Sequence, residues 1–195
     1  MRKLMMMLVA MAMISAVAVG QEKEKVAEKL TKKELRKLKR EEAKQAFEKN
    51  KAYGMDLIAD RDFVLKADRI YGKRSPIIVV DQNVNFIKIN GDQMVIQYGL
   101  LSQLGVNGLG GTTFEGTISQ LDTYDLGAGK AYNVRIQFST PALNGVATVH
   151  INVRGDKAQA SLWSNGRVLN FEGNYGGANE QRVAQGINGR VILAN

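Results

Sequence analysis

The sequence predicts a mainly β protein, an antiparallel β-sandwich or partly closed β-barrel preceded by a charged N-terminal α-helix. Three observations carry that reading. Apolar residues recur at every second position in several runs after Phe63, turn dipeptides fall between those runs, and residues 22–51 hold neither Pro nor Gly. Alternation of period two places one face of a strand in a core and the other in water, the habit of antiparallel sheets.

The chain opens with Arg2 and Lys3, an uncharged and almost wholly apolar run from Leu4 to Val19, and Ala18-Val19-Gly20. A basic start, an apolar stretch and small residues before a cut define a secretory signal. Cleavage is expected between Gly20 and Gln21. The apolar run is short for a helix crossing a bilayer, which takes about 20 residues. With Gln21 after the cut and no cysteine in the chain, lipidation there is excluded. The expected product is a soluble periplasmic or secreted protein with no transmembrane segment after processing. Without cysteine, disulfide staples, thiolate nucleophiles, thiolate–zinc sites and iron–sulfur clusters are excluded as well.

Residues 21–54 read as a charged helical arm. Glu, Lys, Arg, Leu and Ala dominate, all strong helix formers. Glu28 with Lys32, Glu34 with Lys37, Glu41 with Lys44 and Glu48 with Lys51 stand at helical spacing, each pair adding about 0.2–0.5 kcal/mol to an isolated helix. No narrow apolar seam is evident, and Gly54 is the expected stop. The formal net charge of +8 is concentrated here: the arm has 12 Lys/Arg against 7 Asp/Glu, whereas residues 55–195 have 13 against 12. Lys29, Lys32, Lys33, Arg36, Lys37, Lys39 and Arg40 are opposed between positions 29 and 40 by Glu34 alone. At 1.5 Å per residue they form a basic rod roughly 18 Å long. Because the protein is expected to be exported, no nucleic-acid partner is expected, and the expected contacts are anionic lipid or envelope polysaccharide, each cation near an anionic membrane surface contributing about 1 kcal/mol.

Residues 55–195 read as the antiparallel β domain. Phe63, Leu65 and Ala67 alternate with polar or outward positions; so do Met94, Ile96 and Tyr98, then Tyr132, Val134, Ile136 and Phe138, then Val149, Ile151 and Val153. Asn90-Gly91, Gly155-Asp156 and Asn165-Gly166 supply hairpin turns, where positive φ is needed. Arg190-Val191-Ile192-Leu193 reads as a final edge strand.

The stretch Phe63-Val64-Leu65 with Ala67-Asp68-Arg69, then Asn85-Phe86-Ile87-Lys88-Ile89-Asn90-Gly91-Asp92, Val95-Ile96-Gln97, and Gly108-Leu109-Gly110-Gly111-Thr112-Thr113-Phe114-Glu115-Gly116-Thr117-Ile118 resembles the bacterial domain of unknown function 4251. The order of strands and glycines carries the likeness, together with a charged helix after a signal peptide. The resemblance implies an exported protein of a Gram-negative envelope and brings no catalytic residues with it.

Chemical motifs are sparse. Gly105-Val106-Asn107-Gly108-Leu109-Gly110-Gly111 lacks the Gly-Lys-Ser/Thr of a phosphate loop, and a strand rather than a helix follows it, so it reads as a loop or as backbone held close to a neighbour. His150, the single histidine, falls on the polar side of its strand beside Thr148 and Asn152. Asp122 with Asp125, and Asp60 with Asp62, lack the glycine and closing glutamate of a calcium loop. Glu115, Glu172 and Asp156 are the carboxylates whose convergence across a groove would make a hydrolase of an envelope polymer. Trp163 and Tyr175 are the aromatics available to floor a sugar or lipid site. No catalytic, cofactor or metal residues are assigned. The function expected is a non-enzymatic binding or structural module of the envelope; the alternatives are a lipocalin-like carrier of an apolar ligand or the carboxylate hydrolase.

Overall fold

A computed structural model describes residues 32–99, 111–141, 145–164, 166–181, 183 and 185. The signal with its Gly20–Gln21 cut, Lys29, most of the glycine loop and residues 190–193 lie outside them. Residues up to Lys44 form one compact unit and those from Gln45 a second.

The second unit is a closed barrel. Its elements are the C-terminal half of α1 (Lys32–Ala59), then β1 (Asp62–Gly72), β2 (Ile78–Val79), β3 (Phe86–Asn90), β4 (Gln93–Gly99), β5 (Gly111–Asp125), β6 (Tyr132–Thr140), β7 (Gly145–Arg154), β8 (Lys157–Ser164) and β9 (Arg167–Gly176). From β3 to β9 every strand pairs antiparallel with the next. β1 pairs on one edge with β3, Leu65 opposite Ile87, and on the other with β9, Leu65 opposite Tyr175. That double pairing leaves eight strands without a free edge, the up-and-down solution to the edge problem. The two-residue β2 adds to the far part of β1, with Ile70 opposite Ile78.

Inward positions are the alternating residues of the sequence pattern. Phe63, Leu65, Ile87, Met94, Ile96, Ile136, Phe138, Ile151 and Phe171 are fully buried in one cluster. Each such side chain contributes about 1.5–3 kcal/mol relative to exposure. Small residues tighten the wall. A Cβ at Gly173 would lie 1.9 Å from the Lys66 carbonyl oxygen, and one at Gly116 would lie 2.1 Å from that of Ser139. Bulges between Ala67 and Arg69, and between Ile118 and Gln120, add the local bend that closure needs.

α1 does not stop at Gly54. It runs to Ala59, and Arg61 then takes the left-handed conformation (φ 54°). The Arg61 carbonyl accepts from Gly91 N–H, and its guanidinium pairs with Asp92. Phe47, Lys51, Gly54 and Ile58 follow at steps of 4, 3 and 4, which is one helical face. Lys51, Gly54 and Ile58 are buried, and Ile58 belongs to the barrel core. The absence of an apolar seam therefore holds only for the earlier part of the arm. The helix closes the barrel end that carries the Gly91, Gly127 and Gly155 turns.

Candidate functional site

At the helix-capped end, Lys51 is 3% exposed, and its ammonium donates to the Asp125 carboxylate and, at 2.9 Å, to the Gly127 carbonyl. The Lys51 hydrogen bond first, and the Gly127 N–H second, hold the Asp125 carboxyl below the usual carboxylate range. Its contribution is thus present at neutral pH and fades as pH falls below the ordinary value. Glu48 accepts from Gly129 N–H. The Tyr175 hydroxyl lies 2.6 Å from the Asn50 carbonyl and 2.7 Å from that of Gly155, and its ring stacks on Phe63 and Tyr53. The contacts of Lys51, Glu48, Asn50 and Tyr53 fix helix to barrel, so the cluster is a structural seal. Tyr175 is a core lid, whereas Trp163 stands 49% exposed on the outer face of β8.

The opposite end is built differently. Ile70, Tyr98, Phe114, Leu162, Val168 and Leu169 line a cavity of about 750 Å³, completed by the 71–78 segment and by Ser164 and Arg167. Ile77, Ile78, Val79, Val146 and Trp163 are exposed around this end. The segment Gly72–Val80 and the β8–β9 turn region 163–168 contain Lys73, Arg74 and Arg167 and no Asp or Glu. Thr140, two residues beyond inward-facing Phe138 at the same end of β6, is 1% exposed, and its hydroxyl has no hydrogen-bond partner among the described residues.

In the first unit, Lys32, Lys33, Arg36, Lys37, Lys39 and Arg40 are all exposed and helical. At about 100° per residue they fall within an arc of roughly 160°. Leu35 and Leu38, also exposed, lie on the other side, with Glu34 and Glu42.

The remaining candidates are dispersed. His150 is exposed on β7, outward as its phase requires. Glu115 is on the outside of β5, where Gln185 donates to it, and Glu172 is on the outside of β9, paired with Arg69. β5 and β9 are four strands apart in either direction round the barrel, and Asp156 lies in the β7–β8 turn. Asp156 and Glu172 border one surface pocket on the β8–β9 side, with Arg154 and Lys157 beside them, and Glu115 stands apart from both. Asp122 accepts from Gln120, and Asp62 from the Asn179 N–H. Among the described residues no group of three His, Asp or Glu is placed to hold a metal, and no helix is long and apolar enough to cross a membrane. Of the glycine loop, Gly111 is described: a Cβ there would lie 1.8 Å from the Tyr98 carbonyl oxygen, so its backbone is pressed against β4.

These elements define a class: an eight-stranded up-and-down antiparallel barrel, sealed by a helix at one end and hollowed at the other. Residues 44–174 match the family model described as Domain of unknown function (DUF4251). The chain belongs to that family. A crystal structure of a DUF4251 family protein from Bacteroides eggerthii is similar, with a TM-score of 0.54 and 21% identity, covering 71% of this chain and 94% of that one. At that identity the likeness concerns the fold. No curated protein matches the chain.

Proposed function

We propose that this is an exported, non-enzymatic binding module of a bacterial envelope, periplasmic after cleavage between Gly20 and Gln21, which associates with a polyanionic surface through its helical arm. The observation that carries the reading is the one-sided display of Lys32, Lys33, Arg36, Lys37, Lys39 and Arg40, all exposed on one helix. The shared chemistry of the partner is closely spaced phosphate or carboxylate groups, as on anionic lipid or acidic envelope polysaccharide. Each cation contributes about 1 kcal/mol near such a surface, falling off within a Debye length of about 8–10 Å. The distance of Glu115 from Glu172 and Asp156, and the pairing of Glu172 with Arg69, support the non-enzymatic part of the reading. The carrier alternative is favoured by one specific observation, the apolar cavity at the barrel mouth.

The test compares the mature protein from Gln21 with a chain beginning at Gln45, the start of the barrel unit. Each is sedimented with anionic vesicles, neutral vesicles and acidic polysaccharide. The mature protein is expected to cosediment at low salt with an anionic partner and to release at high salt, while the shorter chain stays folded and in solution. Whether vesicle or polysaccharide is bound identifies the source of the anionic groups. Equal sedimentation of the two chains overturns the arm reading, and an intact mass that retains Met1 overturns the cleavage.

A further inference from the structure

The two barrel ends differ in chemistry. At the helix-capped end, buried polar groups are matched to one another across α1 and the turns. At the mouth, an apolar cavity opens beneath a rim whose segments carry cations and no carboxylate. A volume of about 750 Å³ falls within the roughly 300–1,000 Å³ range of small-molecule sites, which are mostly apolar with a few placed polar groups. Side chains that reach this end from the barrel wall are Ile70, Phe114, Leu162 and Leu169. Below them Phe138 and Phe171 fill the interior, so an occupant enters from the mouth and goes no deeper.

We propose that the mouth of the barrel binds a single-chain anionic amphiphile, its apolar chain against Ile70, Phe114, Leu162 and Leu169 and its carboxylate or phosphate facing Arg167 at the rim. Charge complementarity selects this occupant. Arg167 lines the cavity directly, Lys73 and Arg74 stand in the β1–β2 connection that forms another part of its rim, and the rim segments provide no acid to neutralise them. A neutral apolar molecule would leave those cations unused, and a cationic amphiphile would meet repulsion. An arginine fork matches a carboxylate or phosphate bidentately, so head and tail are both recognised. Exposed Ile77, Ile78 and Trp163 beside the opening extend the apolar surface outward, over the part of the chain nearest the head. This site is independent of the basic arm, whose cations belong to the other unit.

The experiment uses the full mature chain and three probes sharing one tail: dodecanoate, dodecanol and dodecyltrimethylammonium, each below its micelle concentration. Binding is read by calorimetry and by the emission of Trp163, the single tryptophan, which neighbours the cavity residues Leu162 and Ser164. Dodecanoate is expected to bind saturably at one molecule per chain and to raise the Tm. Dodecanol should bind more weakly and the ammonium weakest. Arg167→Glu, an exposed position whose reversal leaves the core untouched, should weaken dodecanoate at least tenfold and leave dodecanol unchanged. Ile78→Ser should weaken both. Absence of saturable binding by any probe overturns the site, as does binding of many molecules per chain that neither substitution alters. Equal dodecanoate affinity in Arg167→Glu overturns the assignment of the head. Because the arm is intact in every variant, failure of the arm reading shows in sedimentation and leaves this readout unaffected.

Discussion

Tyr175 shows how a single residue ties chain ends of very different origin. Its ring lies between Phe63 of the barrel and Tyr53 of the helix, while its hydroxyl reaches the carbonyls of Asn50 and Gly155. One phenolic proton serves both acceptors. Burial first, then the negative charge of Asp156 and the neighbouring Tyr53, push its pKa up to about 12 from 10.0. The native state therefore holds this proton more tightly than the unfolded chain does. Its stabilising contribution is complete below pH 10 and disappears as pH rises from 10 to about 12. Tyr175→Phe keeps the ring and leaves two carbonyls without their donor, so it should destabilise by about 1–3 kcal/mol at neutral pH. The difference in Tm between wild type and variant, followed from pH 8 upward, should shrink above about pH 10. A difference that stays constant through that window would show that the hydroxyl is not buried as described.

At the scale of the element, α1 combines two helices of different purpose in one continuous run. Up to Lys44 it is a charged rod; from Phe47 it is a lid. The sequence conceals the lid because its face is built from Phe47, Lys51, Gly54 and Ile58, where a lysine and a glycine interrupt the apolar stripe. The spacing of 4, 3 and 4 was the available signal, and Lys51 hid it by being buried through its partners rather than its hydrophobicity. Gly54 reads as a stop for the same reason. Its small size serves packing: a Cβ there would meet Val153 Cγ1 at 2.8 Å and Tyr175 at 3.1 Å. Gly54→Leu should consequently destabilise, although leucine improves helix propensity by roughly 0.8–1 kcal/mol. Overpacking costs about 1–3 kcal/mol and here acts against two side chains of the core. Urea unfolding checks it, and a midpoint at or above that of wild type would mean that the helix rides higher on the barrel than the structure places it.

At the scale of the whole molecule, what was legible divides along local and non-local physics. The strands with strong contrast, such as Tyr132–Thr140 with Val134, Ile136 and Phe138 inward, are plain in the sequence, and so are the Gly91 and Gly155 turns. β8 and β9 are quieter because Ala158, Ala160 and Gly173 occupy inward positions. Gln97 shows another limit. Its phase points it outward as expected, yet it is fully buried beneath the segment before β3, donating to the Val84 carbonyl and accepting from the Thr113 hydroxyl. The basic arm was visible because charge is read directly from residue type. The mouth was not, since Ile70, Phe114, Leu162 and Arg167 come from four strands that only closure assembles.

Closure itself joins β1 to β9 across about a hundred residues, and no local pattern announces such a pairing. Its physical requirement is nevertheless present at one position. Gly173 faces Ala67 on β1 and Ala158 on β8, and the approach of its Cα to the Lys66 carbonyl excludes any side chain. Backbone cannot swing aside as a side-chain end can, so an added carbon must push β9 away from β1 and break the ladder that closes the ring. Gly173→Val should therefore destabilise by more than about 3 kcal/mol, beyond the typical effect of a point substitution, although valine favours strands. The loss should be shared by the whole barrel, because opening one seam exposes the common core. Amide exchange should accelerate in β4 and β6, far from the substitution, as well as in β1 and β9. Faster exchange confined to β1 and β9, with β4 and β6 protected as before, would show that the barrel tolerates an open seam and that its core is stable without closure.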